Sequence, residues 1–127
     1  MKIQRRFTRE GASPYESFEF RRATSEIRNP DGSVVFSLEG IEVPAAWSQV
    51  ASDVLAQKYF RKAGVPAAIR RVAEEGVPEF LWRGEADEDA LEGLSEETRF
   101  GGETSARQVF DRLAGAWAYW GWKGGYF

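Results

Sequence analysis

The feature that most limits how this chain can fold is its last quarter, Gly101 to Phe127, which reads as one capped amphipathic helix running into a tail of aromatics and glycines. Ser105-Ala106-Arg107-Gln108 fits a capping box, in which the serine oxygen takes a free helix N–H and the glutamine side chain reaches back to the backbone. A helix is therefore predicted to begin at Ser105. From there Ala106, Val109, Phe110, Leu113, Trp117 and Trp120 recur at spacings of three and four, which puts them on one stripe. The stripe does not stop where domains usually turn polar. Trp117, Tyr119, Trp120, Trp122, Tyr126 and Phe127 crowd the end, whereas domain ends are commonly polar and frayed. Burying a large apolar side chain stabilises by roughly 1.5–3 kcal/mol, and a whole small domain is stable by only about 5–15 kcal/mol. Such a tail must fold back or find a partner, so these six residues are the candidate docking surface.

The rest of the chain supplies what that helix can pack on. Ser25-Glu26-Ile27-Arg28 and Val34-Val35-Phe36-Ser37-Leu38 flank Asn29-Pro30-Asp31-Gly32-Ser33, where proline presets one φ and glycine accepts the positive φ of a tight turn. A β-hairpin is predicted. Trp47, Val50, Ala51, Val54, Leu55 and Tyr59 then follow the spacing of a core-facing helix, expected from Pro44 to Ala63 and stopped by Gly64 before Pro66. Ala67 to Glu75 is expected as a shorter helix, with Arg70 and Arg71 on a solvated face beside Glu74 and Glu75. The segment from Glu85 to Glu97 carries seven acids and no base. It is expected as a polar connection in which Asp87 caps a single turn around Ala90 and Leu91.

These elements predict an α+β fold: an N-terminal β-hairpin followed by two long amphipathic helices joined by a loop-rich acidic connection. At 127 residues the chain is long enough for one domain and too short for two. Its expected parts are a β-rich 1–43, a helical 44–75, an acidic connection 76–103, and the helix and aromatic tail 104–127. The core is expected to hold Phe36, Trp47, Val50, Val54, Leu55, Phe110 and Leu113, with the two long helices packed on each other.

The absence of cysteine and histidine removes whole classes of chemistry. Disulfides, Cys/His metal sites, thiol nucleophiles and histidine bases cannot be built from this chain. Paired carboxylates remain, but a catalytic pair needs one buried member and a hard-cation loop needs defined spacing. The acids of 85–97 show neither, so neither a catalytic nor a metal-binding residue is assigned. A net charge of −3 argues against a nucleic-acid surface, although tail aromatics with Arg5, Arg6, Arg21 and Arg22 would be the groups to provide one. No apolar run reaches the length of a membrane span or a signal peptide, so no membrane partner and a cytoplasmic location are expected.

Three segments together resemble a known family. They are Thr24-Ser25-Glu26-Ile27-Arg28-Asn29-Pro30-Asp31-Gly32-Ser33-Val34-Val35-Phe36; Val43-Pro44-Ala45-Ala46-Trp47-Ser48-Gln49-Val50-Ala51 with Gln57 to Pro66; and Gly102 to Ala106 continuing to Tyr126-Phe127. Their order and wording resemble the N-terminal region of the adenosylcobalamin-dependent, class II ribonucleotide reductases. The resemblance implies a larger parent enzyme that reduces ribonucleotides to deoxyribonucleotides for DNA synthesis. It implies a ten-stranded α/β barrel downstream, where cobalamin generates a thiyl radical on a cysteine. Without a cysteine this segment is expected to be inactive alone and to need no cofactor itself. The expected partner is the catalytic barrel of the same reductase, reached through the aromatic tail. A stand-alone interaction module that grips another protein, or its own copy, through Trp117, Trp120 and Trp122 is the alternative.

Overall fold

A computed structural model describes residues 1–127 of the chain. Its framework is the predicted hairpin, longer than the sequence pattern indicated: β1 (Phe20–Arg28) pairs antiparallel with β2 (Val34–Pro44). The turn closes as its residue types require. Gly32 adopts φ 88°, Asn29 N–H donates to the Ser33 carbonyl at 2.8 Å, and Asp31 Oδ1 accepts from the Ser33 N–H at 2.8 Å and its hydroxyl at 2.6 Å. Farther along, Ala23 faces Ile41 while Ser25 faces Leu38, so β2 holds one more residue than β1, and Gly40 at φ 64° lies in that bulge. The bulge bends the ribbon and turns Ala23, Ser25, Ile41 and Val43 to one buried face.

Onto that face packs α1 (Gln49–Val54), capped by Ser48, whose hydroxyl accepts from the Ala51 N–H at 3.1 Å. It runs directly into a π turn over Leu55–Tyr59. The expected long helix from Pro44 to Ala63 is thus replaced by six α-helical residues and one wide turn, and Ile41 to Pro44 are strand. The buried side also differs from the apolar stripe. Val50 is 72% exposed, while Ser52, Leu55, Ala56 and Phe60 are buried. The cause lies in β1. Ser25 is fully buried, donates to Asp53 Oδ1 at 2.7 Å and accepts from Gln57 Nε2 at 3.2 Å. Those bonds draw the polar side of α1 onto the hairpin, and Val50 and Val54 swing outward.

Ala67 to Glu75 is not helical. β3 (Val65–Pro66) and β4 (Ile69–Arg71) are short strands, and β4 pairs with β5 (Gly84–Ala86). Arg70 and Arg71 stay exposed, on a strand instead of a helix: Arg70 Nε donates to Glu85 Oε1 at 2.9 Å and Arg71 donates to the Trp82 carbonyl at 2.9 Å. A 3₁₀ turn at Glu79–Leu81 buries Leu81. The acidic connection is more ordered than expected, with α2 (Glu88–Glu92), α3 (Glu96–Arg99) and β6 (Phe100–Gly101), which pairs with β3. Asp87 does cap its turn, accepting from the Ala90 N–H at 3.2 Å.

α4 (Ala106–Lys123) is the single long helix. The expectation of two long helices packed together therefore gives way to one helix laid against a hairpin and two smaller two-stranded sheets. The central core is Ala23, Ile41, Val43, Leu55, Ala56, Phe60, Ala106 and Val109, with Leu38, Trp47, Phe110 and Leu113 half-buried against it. Of the expected core, Leu55 is buried, Trp47, Phe110 and Leu113 line its edge, Phe36 is half-buried apart from it, and Val50 and Val54 are exposed.

Candidate docking surface

The capping box holds as predicted. Arg107 N–H donates to Ser105 Oγ at 3.2 Å, and Gln108 Oε1 accepts from the Ser105 N–H at 3.0 Å. Ser105 also donates to Glu42 Oε1 at 2.6 Å, which fastens the start of α4 to β2. That hydroxyl, with the Arg107 guanidinium adding to it against the opposing effect of burial, holds the Glu42 carboxyl below its ordinary value. Arg107 lies over the Phe20 ring at 4.0 Å, with its Nε 2.9 Å from Glu42 Oε1 and out of hydrogen-bond alignment. On the next turn Asp111 Oδ1 accepts from the Tyr15 hydroxyl at 2.6 Å; burial first, then Asp111, raises that phenol.

Below the cap, Glu103 is buried at 4% exposure and fully engaged. It accepts from the Arg61 N–H at 2.7 Å and from Arg112 Nε at 3.2 and 3.1 Å, while Arg112 also donates to the Tyr59 carbonyl. This is the one buried carboxylate, and its partners make it a strut between the π turn and α4. Gly102 lets the two segments approach, because a Cβ there would stand 3.0 Å from the Lys62 carbonyl.

The first half of α4 is thus covered: Ala106 and Val109 are buried, and Phe110 meets Trp47 edge to face at 5.8 Å. The same stripe then continues uncovered. Trp117 is 63% and Trp120 64% exposed. The other predicted docking residues divide. Tyr119 turns away and donates to Glu74 at 3.0 Å, where Lys123 Nζ joins at 2.7 Å. By helix geometry Trp122 lies about 140° around from Trp117. Tyr126 and Phe127 fold back: Tyr126 N–H donates to the Gly121 carbonyl at 3.0 Å, and the Phe127 ring lies against Gly121. Trp117, Trp120, Tyr126 and Phe127 therefore come together on one side. The roles of Glu74 and Gly121 were missed by sequence reasoning, because both depend on contacts outside the helical spacing.

The whole chain is short of cover. A folded monomer of 14.3 kDa exposes about 6,800 Å², whereas this one exposes 9710 Å². Val50, Ile69, Phe80 and Phe100 join the tail among its exposed large apolar residues. Chemically the surface is bare. No group of three or more metal-ligating side chains is present, and no helix is long and apolar enough to cross a membrane. An open hollow of about 490 Å³ is lined by Lys2, Ile3, Gln4, Arg6 and Phe7 of the N-terminal arm.

The sequence pattern of a family described as "Class II vitamin B12-dependent ribonucleotide reductase" matches residues 21–127. The chain is 68% identical over all of its 127 residues to the vitamin B12-dependent ribonucleotide reductase of Agrobacterium fabrum, and 66% identical over the same length to that of Bradyrhizobium diazoefficiens. A third relative of that description, from Streptomyces avermitilis, is 34% identical over 90 residues, 67% of this chain and 9% of its own length. The chain spans 10% of the length of each of the first two.

Proposed function

The chain belongs to the class II vitamin B12-dependent ribonucleotide reductase family, and we propose that it serves such an enzyme as a non-catalytic N-terminal region that docks on the catalytic barrel. The observation that carries this is the bare second half of α4, where an apolar stripe continues past the end of its own core. An interface centred on such aromatics is what a partner surface would bury. The parent reaction is reduction of ribonucleotides to deoxyribonucleotides in the cytoplasm, with adenosylcobalamin as cofactor of the barrel. No residue of this chain takes part in that chemistry: it has no cysteine to carry a radical, and its one buried carboxylate is committed to Arg61 and Arg112.

The test is to supply the 127-residue chain to the remaining reductase polypeptide produced separately. Stoichiometric association by sedimentation, with no ribonucleotide reduction by the chain alone, is the expected outcome. Failure of the two to associate at tens of micromolar, roughly where a weak transient interface would still be seen, would remove the proposal.

A further inference from the structure

We infer that Gly121 and Gly124 form a built seat for aromatic rings, and that Tyr126 and Phe127 laid on it join Trp117 and Trp120 in one apolar platform covered by the remainder of the same reductase polypeptide. The inference deepens the docking reading and rests on it.

Glycine inside a helix weakens it relative to alanine, so Gly121 inside α4 calls for a physical reason, whereas Gly124 is its C-cap. Three glycines make the contrast. A Cβ on Gly115 would meet nothing within 4 Å. On Gly121 it would overlap the Phe127 ring, and on Gly124 it would come within 2.9 Å of Tyr126 Cε2. Gly125, at φ 74°, supplies the reversal that brings the two rings back. Gly121 and Gly124 lie four and seven residues after Trp117, on the stripe of Trp117 and Trp120. The apolar stripe is therefore continuous along all of α4, with borrowed rings standing where the helix itself carries none.

The platform carries no charge of its own. Lys123, the cation of the last turn, is tied to Glu74 at 2.7 Å, which keeps it off this side. An uncharged aromatic surface fits an uncharged apolar face, whether of a helix or a sheet. The occupant is the remainder of the polypeptide for two reasons. The platform continues the stripe whose first half is already core, and in the relatives nine-tenths of the chain lies outside the matched region. A covalently joined partner is present at high effective concentration, so even a modest platform stays covered.

The test is made in the intact reductase, by hydrogen exchange of the segment 117–127. Gly121→Ala is expected to speed exchange there about tenfold by ejecting the Phe127 ring, and Phe127→Ala to do the same. The double variant should be no faster than either, because both act on one contact. Gly115→Ala, adding a methyl in open space, should leave exchange unchanged or slow it. Exchange that Gly121→Ala slows or leaves unchanged would overturn the seat. Trp117→Ala with Trp120→Ala separates the two ideas: if that pair speeds exchange while Gly121→Ala does not, the seat alone falls, and if neither does, the docking reading falls too. Protection that disappears on dilution would show a second copy as the occupant and overturn the assignment of the remainder.

Discussion

Ala106, Val109, Phe110 and Leu113 in the first half of α4 lie on the same stripe as Trp117 and Trp120 in the second, yet the first four pack on the core and the last two stand in water. One rule of side-chain spacing wrote both halves. What separates them is the supply of opposing surface: β2 and the π turn after α1 contribute Ile41, Val43, Leu55 and Ala56 to the core that the first half joins. Polar fastening follows the same division. The first half is held by Glu42, Glu103 and Asp111, whereas the second is held by Glu74 alone through Tyr119 and Lys123. A helix so divided has a half that packs on its own core and a half that does not.

The largest effect that would break this comparison is on the packed half. Arg112→Met leaves the Glu103 carboxylate buried with the Arg61 N–H as its sole partner. It should cost the 127-residue chain about 2–3 kcal/mol in urea unfolding, less than a fully buried pair because Arg112 is one-third exposed. Val109→Ala empties part of a fully buried site and should cost about 2 kcal/mol. Gly115→Ala adds helix propensity where nothing obstructs a Cβ and should raise stability by about 0.5–1 kcal/mol. Trp117→Ala with Trp120→Ala should change the chain's own stability by less than about 0.5 kcal/mol while destabilising the intact reductase without altering its choice of ribonucleotide. A large loss in the chain alone would mean that the two halves are not different.

Acid sharpens the comparison further. Lys123, then Tyr119, hold the Glu74 carboxyl below its ordinary value, as Ser105 does for Glu42. Carboxyls depressed in the folded state stabilise it above their unfolded value of about 4.5 and lose that contribution as pH falls through the lower folded value. Lys123 is raised by Glu74, so its contribution is full below its unfolded value of about 10.5 and is lost as pH rises through the higher folded one. Between these limits the clamp on the second half is closed. Glu74→Gln should flatten the acid limb of a melting profile followed at residues 117–123 and leave that at residues 106–113 unchanged.

Much of this was written locally and so could be read from residues. Asn29 to Ser33, Ser105 to Gln108 and Asp87 carry their turn and caps within five residues, and each forms as its chemistry demands. The errors arose where distant partners decide. Ala67 to Glu75 has helical propensity, but pairing with Gly84–Ala86 makes a strand of Ile69–Arg71. Val50 and Val54 lie on a correct helical period, yet Ser25, more than twenty residues earlier, selects the opposite side of α1. The exposed aromatics of the tail were legible as an excess of aromatics. How they divide was not, because Glu74 and the fold-back onto Gly121 depend on contacts that no spacing rule reveals.

The central claim is that the second half of α4 is bare only until the reductase covers it. Hydroxyl-radical footprinting of Trp117 and Trp120, in the 127-residue chain and in the intact reductase, measures this directly. The account predicts fast oxidation of both indoles in the chain and a fall of at least about fivefold in the intact protein, as for residues at the centre of an interface. Equal oxidation in the two would contradict it.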